Sequence, residues 1–334
     1  MRPGALPRGV VARGRRPGYN LRVKVIVAGA TGVLGRPLVR ELIRAGHAVA
    51  GLTRSEAGAD ALRAQGARAV SADVLDLGAL LVAAAGMSAD AVIHEVTALA
   101  KPPMRRADLE PTNRLRIEGS ANLLALARQV GAIRFVTQSI VFGYGFRDHG
   151  DAVLTEESPF GQSSRDGEGG NDGGDAAVAA MVSTEMQAFE AAGVDGIALR
   201  YGLLYGGDAG YADGLRSRSI PVPTGHRGTL PLIHVQDAAL ATVAALERGG
   251  DGEAYNIVDD TPATWRELIE ETARRRGAPP PLVLPGWALR LVAPYAGEMI
   301  TRVNMRVSNA KAREQLGWVP LYPSYREGLA VPFG

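Results

Sequence analysis

Residues 23–35 read VKVIVAGATGVLG, and this stretch constrains the fold more than any other in the chain. A continuous apolar run, as expected of a strand covered on both faces, breaks into Gly29-x-x-Gly32-x-x-Gly35. Apolar residues then return at helical spacing, at Leu38, Val39, Leu42 and Ile43, up to Gly46. A strand, a glycine turn and a helix in that order make a nest for a pyrophosphate. Gly29 permits the tight turn, Gly32 lets the backbone approach the phosphates, and Gly35 lets the helix pack closely on the strand. The intervening Thr31, Val33 and Leu34 share the turn. The helix N-terminus offers free N–H groups and a positive dipole end to the anion.

The end of the next strand separates the two nicotinamide dinucleotides. An acidic residue there bonds the ribose hydroxyls of NAD, whereas an arginine accommodates a 2′-phosphate. This chain has Thr53, Arg54 and Ser55 at that place, which favours NADP(H) over NAD(H); Glu56 argues the other way.

The 334 residues suffice for one large α/β unit with an appended lobe, and an apolar share of 46% supports a buried core. Cysteine is absent, which excludes disulfides and thiolate chemistry and fits a reducing cytoplasm. No apolar run approaches the roughly 18 residues of a membrane span. The net charge of +2 hides an asymmetry: residues 1–22 carry six arginines and no acid, so the body is about −4. That balance argues against nucleic acid as a partner, and the arm, with Pro3, Pro7 and Pro17, is expected to be disordered. The five histidines are scattered without ligand-like spacing, so no metal site is expected.

Further strands are expected near 48–52, 68–71, 90–96, 134–138 and 196–201, and helices near 57–65, 112–130 and 176–192. This alternation predicts an α/β fold, a doubly wound parallel sheet over residues 23–200, with a smaller, mostly helical substrate lobe over 201–334 partly interleaved with it. Residues 161–175, GQSSRDGEGGNDGGD, are too polar and glycine-rich to order themselves and predict a flexible insert. A small-molecule substrate is expected between sheet and lobe, lined by 95–104, 139–149, 202–225 and 286–305.

On these motifs the chain resembles the extended short-chain dehydrogenase/reductase superfamily, in its epimerase/dehydratase branch, from residue 23 to about 330. GATGVLG looks like its glycine motif. ADVLD, with Asp73 and Val74, is similar to the segment that contacts adenine. VIHEVTAL, with Glu95, Val96 and Thr97, resembles the strand and turn along the cofactor's middle. LRYGLLYGG, PLIHVQDAA and REQLGWVPLYPSYREGL match in order and spacing. The resemblance further implies Gln138, Tyr201 and Leu203 as cofactor-side positions, and a homodimer through the helices near 112–130 and 176–192.

Members of that superfamily use a Ser or Thr after the fifth strand and a Tyr-x-x-x-Lys pair. By this alignment Ser139 lies within one residue of the hydroxyl's place, but the pair falls on Ala177 and Met181, and Arg116 stands where the family has a helix asparagine. The chain's three lysines, Lys24, Lys101 and Lys311, all lack a tyrosine four residues before them. The expected function is an NADP(H)-dependent oxidoreductase or epimerase-like enzyme with a non-standard proton donor. Its candidates are Ser139, Tyr144 and His149, with Glu156, Glu157, Tyr201 and Tyr205 behind them. A sugar nucleotide or a natural-product intermediate is the expected substrate. Two rivals remain open: a non-redox lyase, cyclase or isomerase, and a silent NADP(H) sensor.

Overall fold

The computed structural model describes residues 22–99, 102–161, 173–207, 211–225 and 228–331. The expected disordered arm, Arg22 apart, and residues 162–172 of the expected insert lie outside the described residues.

Seven parallel strands form the central sheet: β1 (Lys24–Ala28), β2 (Ala48–Thr53), β3 (Arg68–Ser71), β4 (Ala91–His94), β5 (Arg134–Ile140), β6 (Asp195–Tyr201) and β7 (Glu253–Ile257). Their order is β7-β6-β5-β4-β1-β2-β3, a doubly wound arrangement whose order reverses beside β1. The inner strands are buried on both faces, so Val25, Ile26, Val27 and Ala28 are all apolar and at most 1% exposed.

Helices cover both faces. α1 (Gly35–Arg44) buries Leu38, Val39 and Leu42, the stripe read from its spacing. It packs against α2 (Val235–Arg248), a helix contributed from beyond residue 201. On the other face a helical run begins at Glu110–Arg114, passes through a π turn at Leu115–Gly119 and continues as α3 (Ser120–Val130). Gly131, in the left-handed conformation with φ +74°, terminates it. α4 (Gly173–Phe189) packs beside that run and against β5 and β6.

The strand β7 also comes from beyond residue 201, so the chain returns to the sheet after starting the lobe. The lobe has its own apolar cluster around Trp265, Leu268, Ile269, Tyr295, Ile300 and Met305. A two-stranded parallel ledge, Asp148–Leu154 with Asn304–Val307, ties the loop after β5 to the lobe. No helix among the described residues is long and apolar enough to cross a membrane.

Candidate active site

The strands are parallel, so the carboxyl ends of β1, β2, β4, β5 and β6 lie on one side of the sheet, and the glycine turn follows β1 there. Gly29 has φ +87°, and a Cβ there would stand 2.5 Å from the Glu95 carbonyl oxygen. At Gly35 a Cβ would stand 2.0 Å from the Gly29 carbonyl oxygen. Gly32 is less confined, its Cβ meeting only that same oxygen at 3.2 Å. Gly29 and Gly35 are therefore required by the fold, and Gly32 is left for a ligand's approach. The turn fits a pyrophosphate: Val33 is exposed, Leu34 is buried, and the Thr31 carbonyl accepts from Arg36 Nε at 3.1 Å. Val33 also meets the lobe, because a Cβ on Gly207 would come within 2.6 Å of its Cγ1.

At the end of β2, Ser55 caps the helix Glu56–Ala64 by accepting from Gly58 N at 3.1 Å. Thr53 Oγ1 accepts from Ser55 N at 3.3 Å. Glu56 turns along its helix to Arg63, 2.9 Å away. Arg54 is solvent-exposed and makes a loose ion pair of 3.7 Å with Asp73. Asp73 also accepts from Leu75 N, and the carbonyl of buried Val74 accepts from Asn122 at 2.8 Å.

The end of β4 is held by His94. Its Nδ1 accepts from Val96 N at 3.2 Å, so Nε2 is the nitrogen that donates to the Leu115 carbonyl at 3.3 Å, where the π turn begins. Burial pushes this imidazole down to about 4, so it is neutral. Gln138 Nε2 donates to the Val96 carbonyl at 3.2 Å, and Thr97 is exposed. Glu95 is buried, and the Tyr201 hydroxyl lies 2.9 Å from its Oε1 and 2.7 Å from Thr242. Leu203, half-buried, bonds through its N–H to Pro231.

Burial raises the Glu95 carboxyl to about 8. The folded chain thus holds this proton to higher pH than the unfolded chain does. The associated stability is complete below roughly pH 4 and is lost as pH rises through about 8, at about 1.4 kcal/mol per pH unit between those limits. Urea denaturation of wild type and Glu95→Gln at pH 5 and pH 8 checks this. The variant should gain on wild type as pH rises, and parallel curves would refute it. The comparison cancels Asp237 and Asp259, which burial raises in the same direction, to about 6 and about 8.

The three candidate catalytic residues separate. Ser139 is 1% exposed, and its Oγ finds no hydrogen-bond partner among the described residues. Two residues back, on the same face of β5, Thr137 bonds Thr184 of α4 at 2.9 Å. Ser139 therefore faces α4 about one turn earlier, where Ala177, Ala180 and Met181 are all buried. Tyr144, by contrast, is a core residue. Its hydroxyl donates to Asn256 Oδ1 and accepts from Arg200 Nη1, both at 2.9 Å, and burial pushes the phenol up. The Tyr144 hydroxyl, expected to supply a proton, is thus engaged on both sides, as donor and as acceptor. His149 lies on the ledge strand with its Nε2 3.2 Å from the Gly145 carbonyl, and burial lowers it. Tyr205 bonds the Ser324 carbonyl and packs in the lobe, and Glu156 accepts from Asn256 N.

The sequence reading noticed Arg116 only as a substitution. In the structure it lies in the π turn, 3% exposed, with Asn113 three residues before it. Its position on a stripe shared with buried Leu115, Gly119 and Leu123 was the available signal.

A doubly wound parallel sheet with a glycine nest at its switch point defines a dinucleotide-dependent enzyme. Residues 25–258 match the NAD dependent epimerase/dehydratase family. A Streptomyces sp. protein named 3-diazoavenalumate denitrifying reductase is 39% identical over 319 residues, covering 92% of this chain and 99% of that one. A dTDP-glucose 4,6-dehydratase from Streptomyces venezuelae with NAD and TYD bound shares the fold, with TM-score 0.72, 20% identity and coverage of 92% and 94%. So does a human epimerase family protein with NADPH, with TM-score 0.69, 19% identity and coverage of 92% and 97%. The chain belongs to the NAD dependent epimerase/dehydratase family. It is an NAD(P)-dependent enzyme of the oxidoreductase and epimerase kind.

Proposed function

We propose that this chain is an NADPH-dependent reductase of a diazo-bearing small aromatic acid. The observation that carries the reading is that the tyrosine following the fifth strand is already engaged: Tyr144 is bound into the core by Arg200 and Asn256. The resemblance would put the family's proton-transferring pair at Ala177 and Met181, two buried apolar residues. Reduction of a carbonyl develops an alkoxide and needs an acid beside it. An arenediazonium does not: hydride replaces dinitrogen, a C–H bond forms as the C–N bond breaks, and N2 leaves with the C–N electron pair. No proton enters the balance, and the reductant goes from NADPH to NADP⁺. A relative that covers almost the whole chain carries the name of a reductase that denitrifies a diazo compound.

When bound, the nicotinamide supplies the hydride. Gly29, Gly32 and Gly35 with the N-terminus of α1 would hold the pyrophosphate. Arg54, exposed and only loosely paired, would meet the 2′-phosphate, with Glu56 already engaged by Arg63. The unpartnered Ser139 hydroxyl would bond the substrate beside the nicotinamide.

The test is turnover of NADPH, followed at 340 nm, with the arenediazonium derived from 3-amino-4-hydroxycinnamate. N2 should be released, and deuterium from 4-deuterated NADPH should appear on the ring, with none taken from D2O. Arg54→Ala should weaken NADPH at least about tenfold and NADH little, since a charge-assisted phosphate contact is lost. A chain that ignores the diazonium but reduces ketones would overturn the substrate class. Product formation without loss of absorbance at 340 nm would overturn the redox reading.

A further inference from the structure

Arg116 is the one strongly buried cation whose charge nothing in the described structure answers. Burial pulls its guanidinium down to about 10, and the group with the largest opposing electrostatic effect is a tyrosine, Tyr295. Among the described residues it has no ion-pair partner, and its Nε has no hydrogen-bond acceptor. The contrast with Arg200 is direct. That arginine, equally sunk in the protein, is gripped by both oxygens of Glu185 at 2.9 and 2.7 Å. A buried charge without a partner costs several kcal/mol, so a protein that keeps one is arranged for a counter-ion that arrives.

The surroundings specify what arrives. The π turn that holds Arg116 is anchored by His94 through the Leu115 carbonyl, and such turns recur at functional sites. Tyr295 comes from the lobe helix Pro294–Arg302 and meets Phe146 edge-on at 5.8 Å. Phe146 stacks on Phe142 at 5.2 Å with an interplanar angle of 12°. Both phenylalanines follow Ser139 in the loop after β5. Arg116 thus neighbours Tyr295, and the ring contacts Tyr295–Phe146–Phe142 lead from the lobe helix to the loop after β5. On the proposed reading the phosphates of the dinucleotide would have their own places, at the N-terminus of α1 and at Arg54.

We infer that Arg116 anchors an anionic group of the substrate, a carboxylate on a small aromatic molecule whose ring lies against Phe146 and Tyr295. The inference rests on the reductase reading and adds to it the binding end of the substrate. A planar guanidinium takes a carboxylate through two parallel N–H···O bonds, which fixes orientation as well as affinity. Held by its acid end at Arg116, the ring would present its other substituents to Ser139.

Calorimetric titration of the full chain, with and without NADP⁺, against 4-hydroxycinnamate and its neutral amide tests this. The acid should bind at least about tenfold more tightly than the amide. Arg116→Met should reduce the acid to the amide's level and leave NADPH affinity unchanged, and Arg116→Lys should recover part of the loss. Equal binding of acid and amide by wild type, or binding of neither, would overturn the inference. Loss of NADPH affinity in Arg116→Met with Arg116→Lys unimpaired would overturn it too, by making the arginine a cofactor-phosphate ligand. If Arg116→Met does not fold, the wild-type comparison and Arg116→Lys decide alone. Failure of the reductase reading is separately visible: wild type would not bind NADPH, while the titrations without nucleotide would still report on Arg116.

Discussion

Gly35→Ala is expected to yield a protein that is about 3 kcal/mol less stable than wild type and no longer binds NADPH measurably. The added methyl would lie 2.0 Å from the Gly29 carbonyl oxygen and 2.7 and 2.8 Å from Ala30 C and Cα. All three are backbone atoms of the turn itself, so no side-chain rotation relieves the contact. The first turn of α1 must lift away from the strand. That loosens Leu38, Val39 and Leu42, each fully buried, and overpacking of this kind costs typically 1–3 kcal/mol and sometimes more. The same movement displaces the N–H groups that the pyrophosphate needs. Gly32→Ala is the control, because its methyl meets only one oxygen, at 3.2 Å. It should lose less than about 1 kcal/mol of stability and still weaken NADPH about tenfold or more, since the methyl enters the space through which the phosphates approach. Urea denaturation and calorimetry on both variants separate the effects. A Gly35→Ala chain with wild-type stability and affinity would show that the turn is not built as described.

Such a turn is legible in a sequence because its constraint is steric and local. The same holds for the stripe of α1, for Gly131 as a helix stop, and for β1, β2, β3 and β6. What escaped depends on contacts far apart in the chain. The ledge strand Asp148–Leu154 is polar and mostly exposed, so it carries no alternation, and it exists only because Asn304–Val307 pairs with it. The strand β7 follows the turn-forming GGDG and is short; it is recognisable as part of the sheet only through its register with β6. Tyr144 looked available because it follows Ser139 by five residues, but its hydroxyl is spoken for by Arg200 and Asn256, 56 and 112 residues away. Arg116 illustrates the opposite case. Its substitution was plain, whereas its lack of an ion-pair partner among the described residues and its nearness to Tyr295 required the fold.

Arg200→Met is expected to remove about 3–5 kcal/mol of stability, the range for breaking a buried ion pair by deleting one partner. Arg200 donates to Glu185 through Nε and Nη2 and to Tyr144 through Nη1, and its guanidinium lies 3.7 Å from the centre of the Phe160 ring. Tyr144 passes the network on to Asn256 of β7, whose N–H donates to Glu156. One side chain therefore joins β6, α4, the loop after β5 and β7, and Arg200 is itself the residue paired with Ser139 across β5 and β6. Deleting it strands the Glu185 carboxylate in a site only 3% exposed, and against a typical total stability of 5–15 kcal/mol such a loss leaves the fold marginal. The cause is the uncompensated charge rather than the lost attraction, and the two make different predictions. Removing both charges, in Arg200→Met with Glu185→Leu, should recover at least half of the loss, giving a strongly non-additive cycle by urea denaturation. If the double variant were instead as unstable as the sum of the single ones, the arginine's packing on Phe160 and Tyr144 would be what holds β6 to α4, and the ion pair would be incidental to it.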